Sequence, residues 1–287
     1  MSQASRLPTR TAPPFGFPAR LEHLVDVDAH EGPVYVAGED ALYFTSVPRP
    51  GPRVDIKRLD LGSLEVSVVR RDARAANGMT LGHDGRLIVC EQGSLDQPAA
   101  ITAVDPATGA VETIVDSWHG RPLNSPNDVV VKSDGSVWFT DPSYAHLQGF
   151  GPQPQLGDNV YCHDGELELA ADGFVKPNGL AFSPDESLLY VGDSEARVID
   201  VFDVDYGRLL VNRRRFATIE HGFPDGLKTD RRGNVYTTGG PGLLVFSPTG
   251  ALLREIDLPG AVNFAFAGDR LLVTADDAIW SIPVQGA

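Results

Sequence analysis

The chain has 287 residues, 42% hydrophobic and 22% charged, and none of its apolar runs approaches the roughly 18 residues of a membrane helix, so the expectation is a soluble globular protein. Its net charge of −15 argues against a nucleic-acid surface and suits carboxylate-rich loops. The two cysteines, Cys90 and Cys162, are too few for a disulfide framework or a four-ligand zinc site, and both lie in strand-like runs where buried thiols are expected.

The chain begins with "MSQASRLPTRTAPPFGFPAR", which has no apolar signal-peptide core and reads as a Pro-rich tail over residues 1–20. A cytoplasmic location is the default expectation. From residue 21 to residue 287 we expect a single domain, because one phrase recurs through it. The copies begin at Glu31 ("EGPVYVAGEDALYFTSV"), Asn77 ("NGMTLGHDGRLIVCEQG"), Asn127 ("NDVVVKSDGSVWFTDPS"), Asn178 ("NGLAFSPDESLLYVGDS"), Asp225 ("DGLKTDRRGNVYTTGG") and Asn263 ("NFAFAGDRLLVTADD"). Their spacing, roughly 38 to 51 residues, is that of propeller blades. Each copy alternates apolar residues, turns at a polar pair such as Asp-Gly, and continues as a β-branched or aromatic run, which is a hairpin signature. Further strand-like stretches between copies, such as 100–115 and 197–219, bring the total to about four strands per repeat. The expected fold is all-β, a six-bladed β-propeller of four-stranded antiparallel blades.

Stacked blades bring equivalent positions to equivalent heights. If each innermost strand starts near the head of its phrase, Glu31, Asn77, Asn127, Asn178, Asp225 and Asn263 ring one mouth of the channel. Carboxylate and amide oxygens are hard ligands that favour Ca²⁺, Mg²⁺ or Mn²⁺ over softer-ligand metals. Taken singly, an Asn or Asp before Gly is an ordinary turn former; six in register point to a shared site. Asn77 and Asn263 read as structural members.

No nucleophile elbow, zinc-protease helix, Walker loop or dinucleotide fingerprint occurs. His30 reads as a neighbour of the site rather than a base, and Glu91 and Asp193 as loop carboxylates. Asp141 in "FTDPS" is either a pocket brace or a turn former. The segment 144–158, "YAHLQGFGPQPQLGD", is long for a propeller connection and reads as a lid or as an ornament whose position the sequence does not fix.

The phrases "NGMTLGHDGRLIVCEQG", "LNSPNDVVVKSDGSVWFTDPSY", "KPNGLAFSPDESLLYVGDS" and "FPDGLKTDRRGNVYTTG" resemble the SMP-30/gluconolactonase/luciferin-regenerating-enzyme (LRE)-like family, and the second resembles its bacterial gluconolactonase-like branch. The resemblance implies one divalent cation at the channel mouth, Ca²⁺ first, with Mg²⁺, Mn²⁺ or Zn²⁺ as alternatives. It places the metal ligands at Glu31, Asn127, Asn178 and Asp225. It further implies hydrolysis of sugar lactones, with the cation polarising the carbonyl, Asp225 as the catalytic base toward water and Glu31 mainly a ligand. The expected partner is a small-molecule lactone, with no nucleic acid and no membrane. Two departures stand out. Ser125 replaces an Arg of animal members, and Lys228 replaces an Asp that holds a second calcium in organophosphate-hydrolysing propellers. A phosphotriester hydrolase using the same site, or a non-catalytic ligand-binding propeller, are the alternative readings.

Overall fold

The computed structural model describes residues 20–284, so the tail expected over 1–20 lies, except for Arg20, outside the described residues. Five sheets of four antiparallel strands follow one another along the chain, each in simple sequential order. The sixth contains Asn263–Ala267, the long run Arg270–Pro283, and the early strand Glu22–Ala29. Within Arg270–Pro283 the first half pairs with Asn263–Ala267 and the second with Glu22–Ala29. Asp276 has φ of 50°, and the Val284 N–H donates to the Asp269 carbonyl at 2.7 Å, so the run doubles back on itself and supplies two strands. The early strand thus closes the ring beside the last segment of the chain, giving the expected six-bladed propeller. The described residues include one helix, the short Tyr144–Leu147.

Tight turns hold each inner hairpin. The carboxylates of Asp84 and Asp134 accept the N–H groups of Arg86 and Ser136, both at 3.0 Å, which is the local bonding that makes Asp a turn former. Blade faces are apolar and pack on their neighbours. Tyr43 and Ile56 of the first blade share a cluster with Met79 and Leu87 of the second, and Trp138 of the third shares one with Leu189 and Phe202 of the fourth. A sheet buried on both faces cannot stand alone, so the blades form one unit. Both cysteines are buried free thiols.

The innermost strands are Val34–Val36, Ala76–Leu81, Val129–Val131, Pro177–Phe182, Leu227–Thr229 and Asn263–Ala267; the first five touch in succession around the axis, and the sixth touches the first. Glycine makes that approach close. A Cβ on Gly78 would sit 2.4 Å from the Asn127 carbonyl oxygen, and one on Gly179 would sit 2.2 Å from that of Asp225. Instead the Gly78 and Gly179 N–H groups bond those carbonyls at 2.8 and 3.1 Å. The Asn-Gly phrase therefore joins the second blade to the third and the fourth to the fifth: its glycine admits the neighbour's backbone.

Candidate metal and substrate site

Each head residue of the six phrases lies at or within three residues of the start of its innermost strand. The second strand of the same blade fixes its backbone. Asn127 N–H bonds the Thr140 carbonyl at 2.9 Å, Asp225 N–H bonds that of Thr238 at 3.3 Å, and the Glu31 carbonyl accepts from Thr45 at 2.8 Å. Glu31, Asn127, Asn178 and Asp225, from four blades, line one cavity of about 390 Å³ together with His30 and Asn77.

Glu31 and Asn127 are almost fully buried, at 3% and 6% exposure. Glu31 Oε2 is held by two donors, the Gly32 N–H at 2.9 Å and the Asn263 amide at 2.8 Å. Asn178 donates its amide to Ser194 Oγ at 3.1 Å, which turns its oxygen away from that bond. Asn127 Oδ1 and Asn77 Oδ1 are buried without a hydrogen-bond partner. A buried acceptor left unpaired is costly, so its persistence at a cavity wall points to a ligand.

Charge accumulates at this mouth. Burial, then the nearby Glu31 carboxylate, push the Asp225 carboxyl well above its ordinary range, with Asp128 adding to the rise while His30 and Asn178 oppose it. Burial likewise brings Asp128 to about 7 against the pull of the Lys228 ammonium. For His30, burial favours the neutral ring, but the bond to Asp276 and the charges of Glu31, Asp276 and Asp225 outweigh it and raise the pKa. His30 Nδ1 lies 2.7 Å from Asp276 Oδ1, so the imidazole is braced from the last blade. No group of three or more His, Cys, Asp or Glu gathers to hold a metal among the described residues. The set here is of another kind, two carboxylates and two amides, and its unpaired Asn127 oxygen fits a hard cation.

Of the two ring members expected to be structural, one is and one differs. Asn263 is structural as expected: its amide goes to Glu31 and its oxygen accepts the Phe264 N–H at 2.8 Å. Asn77, expected to be structural, lines the cavity, and its oxygen is buried without a hydrogen-bond partner.

Glu91 and Asp193, expected to be loop carboxylates, and Asp141, expected to be a pocket brace or a turn former, each end the second strand of their blade and are buried. Asp141 accepts the N–H groups of Asn124 and Ser125 at 2.9 and 2.8 Å, and Asp193 those of Val175 and Lys176 at 2.7 and 2.9 Å. These paired clamps fix the chain just before Asn127 and Asn178. Glu91 binds Arg70 and Arg74 instead.

The segment 144–158 overhangs the site, since Tyr144, Gln148 and Phe150 line the cavity. Asp158 pins its far end, accepting from the Ser143 N–H and the Lys176 ammonium. Burial pushes the Tyr144 phenol up to about 12. Ser125 is fully buried and turned toward this segment rather than the cavity: its hydroxyl donates to the Pro142 carbonyl at 2.6 Å and accepts the Ala145 N–H at 3.1 Å.

Comparison with known proteins agrees with this architecture. A family model described as SMP-30/Gluconolactonase/LRE-like region matches residues 29–276. The gluconolactonase of Zymomonas mobilis subsp. mobilis is 32% identical over 253 residues, covering 80% of this chain and 70% of that protein. Lactonohydrolase oryL of Aspergillus oryzae is 28% identical over 297 residues, covering 90% of this chain and 66% of that protein. A solved structure of a Xanthomonas campestris gluconolactonase superposes with a TM-score of 0.82 at 36% identity, covering 92% of this chain and 89% of that one. The calcium-binding protein regucalcin of Agrobacterium tumefaciens shares the fold alone, with a TM-score of 0.75 at 20% identity over 94% and 96% of the two chains.

Proposed function

Because the chain belongs to the SMP-30/gluconolactonase/LRE-like family, matched over residues 29–276, we propose that it is a divalent-cation-dependent lactonase acting at the propeller mouth. The observation that carries this reading is the convergence of Glu31, Asn127, Asn178 and Asp225 on one cavity, with the Asn127 oxygen buried and unpaired. These four residues would hold the cation, with Ca²⁺ favoured because amide and carboxylate oxygens arriving from four blades form an irregular hard-ligand set.

Bound there, the cation would polarise the lactone carbonyl and favour the developing negative charge. Asp225 takes a proton from the attacking water, whose oxygen bonds to the carbonyl carbon. The ring C–O bond then breaks, the proton passes to the departing ring oxygen, and the product is the open-chain hydroxy acid. Glu31, its Oε2 tied by Gly32 and Asn263, acts as a fixed ligand rather than a base. A sugar lactone as substrate rests on the gluconolactonases of Zymomonas and Xanthomonas. A cytoplasmic location belongs to the same proposal, supported by the two free thiols. Among the described residues no helix is long and apolar enough to cross a membrane.

The test is hydrolysis of a lactone panel by protein stripped with chelator and then reloaded with Ca²⁺, Mg²⁺, Mn²⁺ or Zn²⁺. Activity should vanish on stripping and return with one or more of the metals, and Asp225→Asn should stay inactive when reloaded. Full activity in the stripped protein, or in Asp225→Asn, would sink the mechanism.

A further inference from the structure

The cavity can satisfy a polyhydroxylated ring without using a positively charged side chain. Gln92, Tyr144 and Gln148 line it beside Asn77, so the hydroxyl partners it offers include neutral amides and a phenol. Among the described residues no Lys or Arg lines it; the charged side chains that do are Glu31, Asp225 and Glu195, together with the imidazole of His30. His30 has its own counter-charge in Asp276, 2.7 Å away. A divalent cation held at the proposed ligands would match the charges of Glu31 and Asp225. The charge of Glu195 is then left over.

Glu195 stands in the turn that joins Leu188–Asp193 to Val198–Asp205, exposed to solvent and lining the cavity. Backbone bonds fix that turn: the Ser194 N–H donates to the Lys176 carbonyl at 2.9 Å, the Arg197 N–H to that of Ser194 at 3.1 Å, and the Ala196 N–H to Asp193 Oδ1 at 3.3 Å. Ser194 Oγ accepts from the Asn178 amide at 3.1 Å and donates to the Pro224 carbonyl at 2.7 Å, so the turn is tied to one of the four residues proposed to hold the cation. The two cations carried by this neighbourhood are engaged elsewhere. Arg197 lays its guanidinium 4.9 Å from the centroid of the Phe223 ring, and the Lys176 ammonium bonds Asp158 at 2.9 Å. Among the described residues no ion pair or hydrogen bond engages the Glu195 carboxylate.

We propose that, granted the lactone hydrolysis on which this rests, Glu195 sets the charge specificity of the mouth: it admits uncharged sugar lactones and disfavours anions, both sugar lactones that carry an acid group and the carboxylate that hydrolysis itself produces. Opening the ring turns a neutral ester into a carboxylic acid that ionises at neutral pH, so the substrate enters uncharged and the product leaves charged. The cation attracts that new carboxylate. Glu195 opposes the attraction and so favours release over retention.

The proposal is tested by calorimetric affinities, with Ca²⁺ in excess, for three ligands: gluconolactam, which is neutral and not hydrolysed; the same lactam bearing a terminal carboxylate; and gluconate. In Glu195→Gln the two anions should bind about twofold to fivefold more tightly than in the parent at low salt, with the neutral lactam shifting much less. The difference should fade at about 1 M salt, where the screening length is about 3 Å. Glu195→Asp, which keeps the charge, should retain the parent's preference. In turnover, product inhibition by gluconate should strengthen in Glu195→Gln by the same factor as its affinity. If no lactone is hydrolysed, the functional reading fails while the three affinities still decide this inference. Anion affinity that is unaltered in Glu195→Gln, or a change equal for neutral and anionic ligands, overturns it.

Discussion

Asn263 reaches across the closure of the ring to Glu31, its Nδ2 lying 2.8 Å from Glu31 Oε2 with both side chains buried. The last blade thus orients the first blade's carboxylate. Gly32 N–H supplies the second donor to the same oxygen. A hydrogen bond to a charged group contributes about 1.5–3 kcal/mol, so Asn263→Ala should cost about 2 kcal/mol of stability in urea unfolding. It should also weaken cation binding by about tenfold, the usual penalty for a lost orienting partner. Calorimetric titration that shows unchanged affinity would mean that Gly32 alone positions Glu31.

Asn127 gives the opposite signature. Its Oδ1 has no protein partner, so Asn127→Ala removes a buried unsatisfied acceptor and should leave the cation-free protein as stable as before, or more stable by up to about 1 kcal/mol. The cation-loaded variant should lose most of the stabilisation that saturating cation confers, which for the parent is about 2.7 kcal/mol at 100 times Kd. Unfolding midpoints measured with chelator and with excess Ca²⁺ separate the two effects. Equal losses in both conditions would make Asn127 a structural residue.

Asp141 makes stability depend on pH. Burial raises its carboxyl from an ordinary 3.8 to about 7, although the Asn124 and Ser125 N–H groups pull it down. The folded protein therefore holds a proton that the unfolded chain releases, and stability should fall as pH rises from about 4 to about 7, then level off. The contribution is on the order of a few kcal/mol. Asp141→Asn stays neutral throughout, so its chelated form should lose less stability between pH 4.5 and pH 8 than the chelated parent. Parallel curves would show that Asp141 does not titrate in that window.

The repeat made both the fold and the ring of six head positions legible, because hairpin turns and strand alternation are local and the phrase carries both; the choice of four proposed ligands among the six came from the family resemblance. Two roles were not legible for a physical reason. Asn77 and Asn263 look alike along the chain, and only the closure of the ring brings Glu31 against one and leaves the other's oxygen unpaired. The clamps of Asp141 and Asp193 bind backbone N–H groups before the inner strand of their own blades, a contact made only when the second strand returns to the mouth. That same antiparallel return puts the connections after the second strands beside the entries of the innermost ones. It is why 144–158 overhangs the site, a placement that composition alone left open.

Ser125 tests how that overhang is held. Its hydroxyl joins the Pro142 carbonyl to the Ala145 N–H, linking the chain before Asn127 to the short helix whose Tyr144 faces the cavity. Ser125→Ala leaves both groups without this partner and should cost about 1–2 kcal/mol. Asn127 keeps its own backbone bond to Thr140, so cation affinity should hold within about twofold, well under the tenfold that 1.4 kcal/mol represents. The loosened wall should instead raise KM several-fold and speed proteolytic cleavage within 144–158. If KM and cleavage are both unaltered, the segment is anchored from its far end, by Asp158 through Ser143 and Lys176 and by the Asn124 amide on the Gly157 carbonyl.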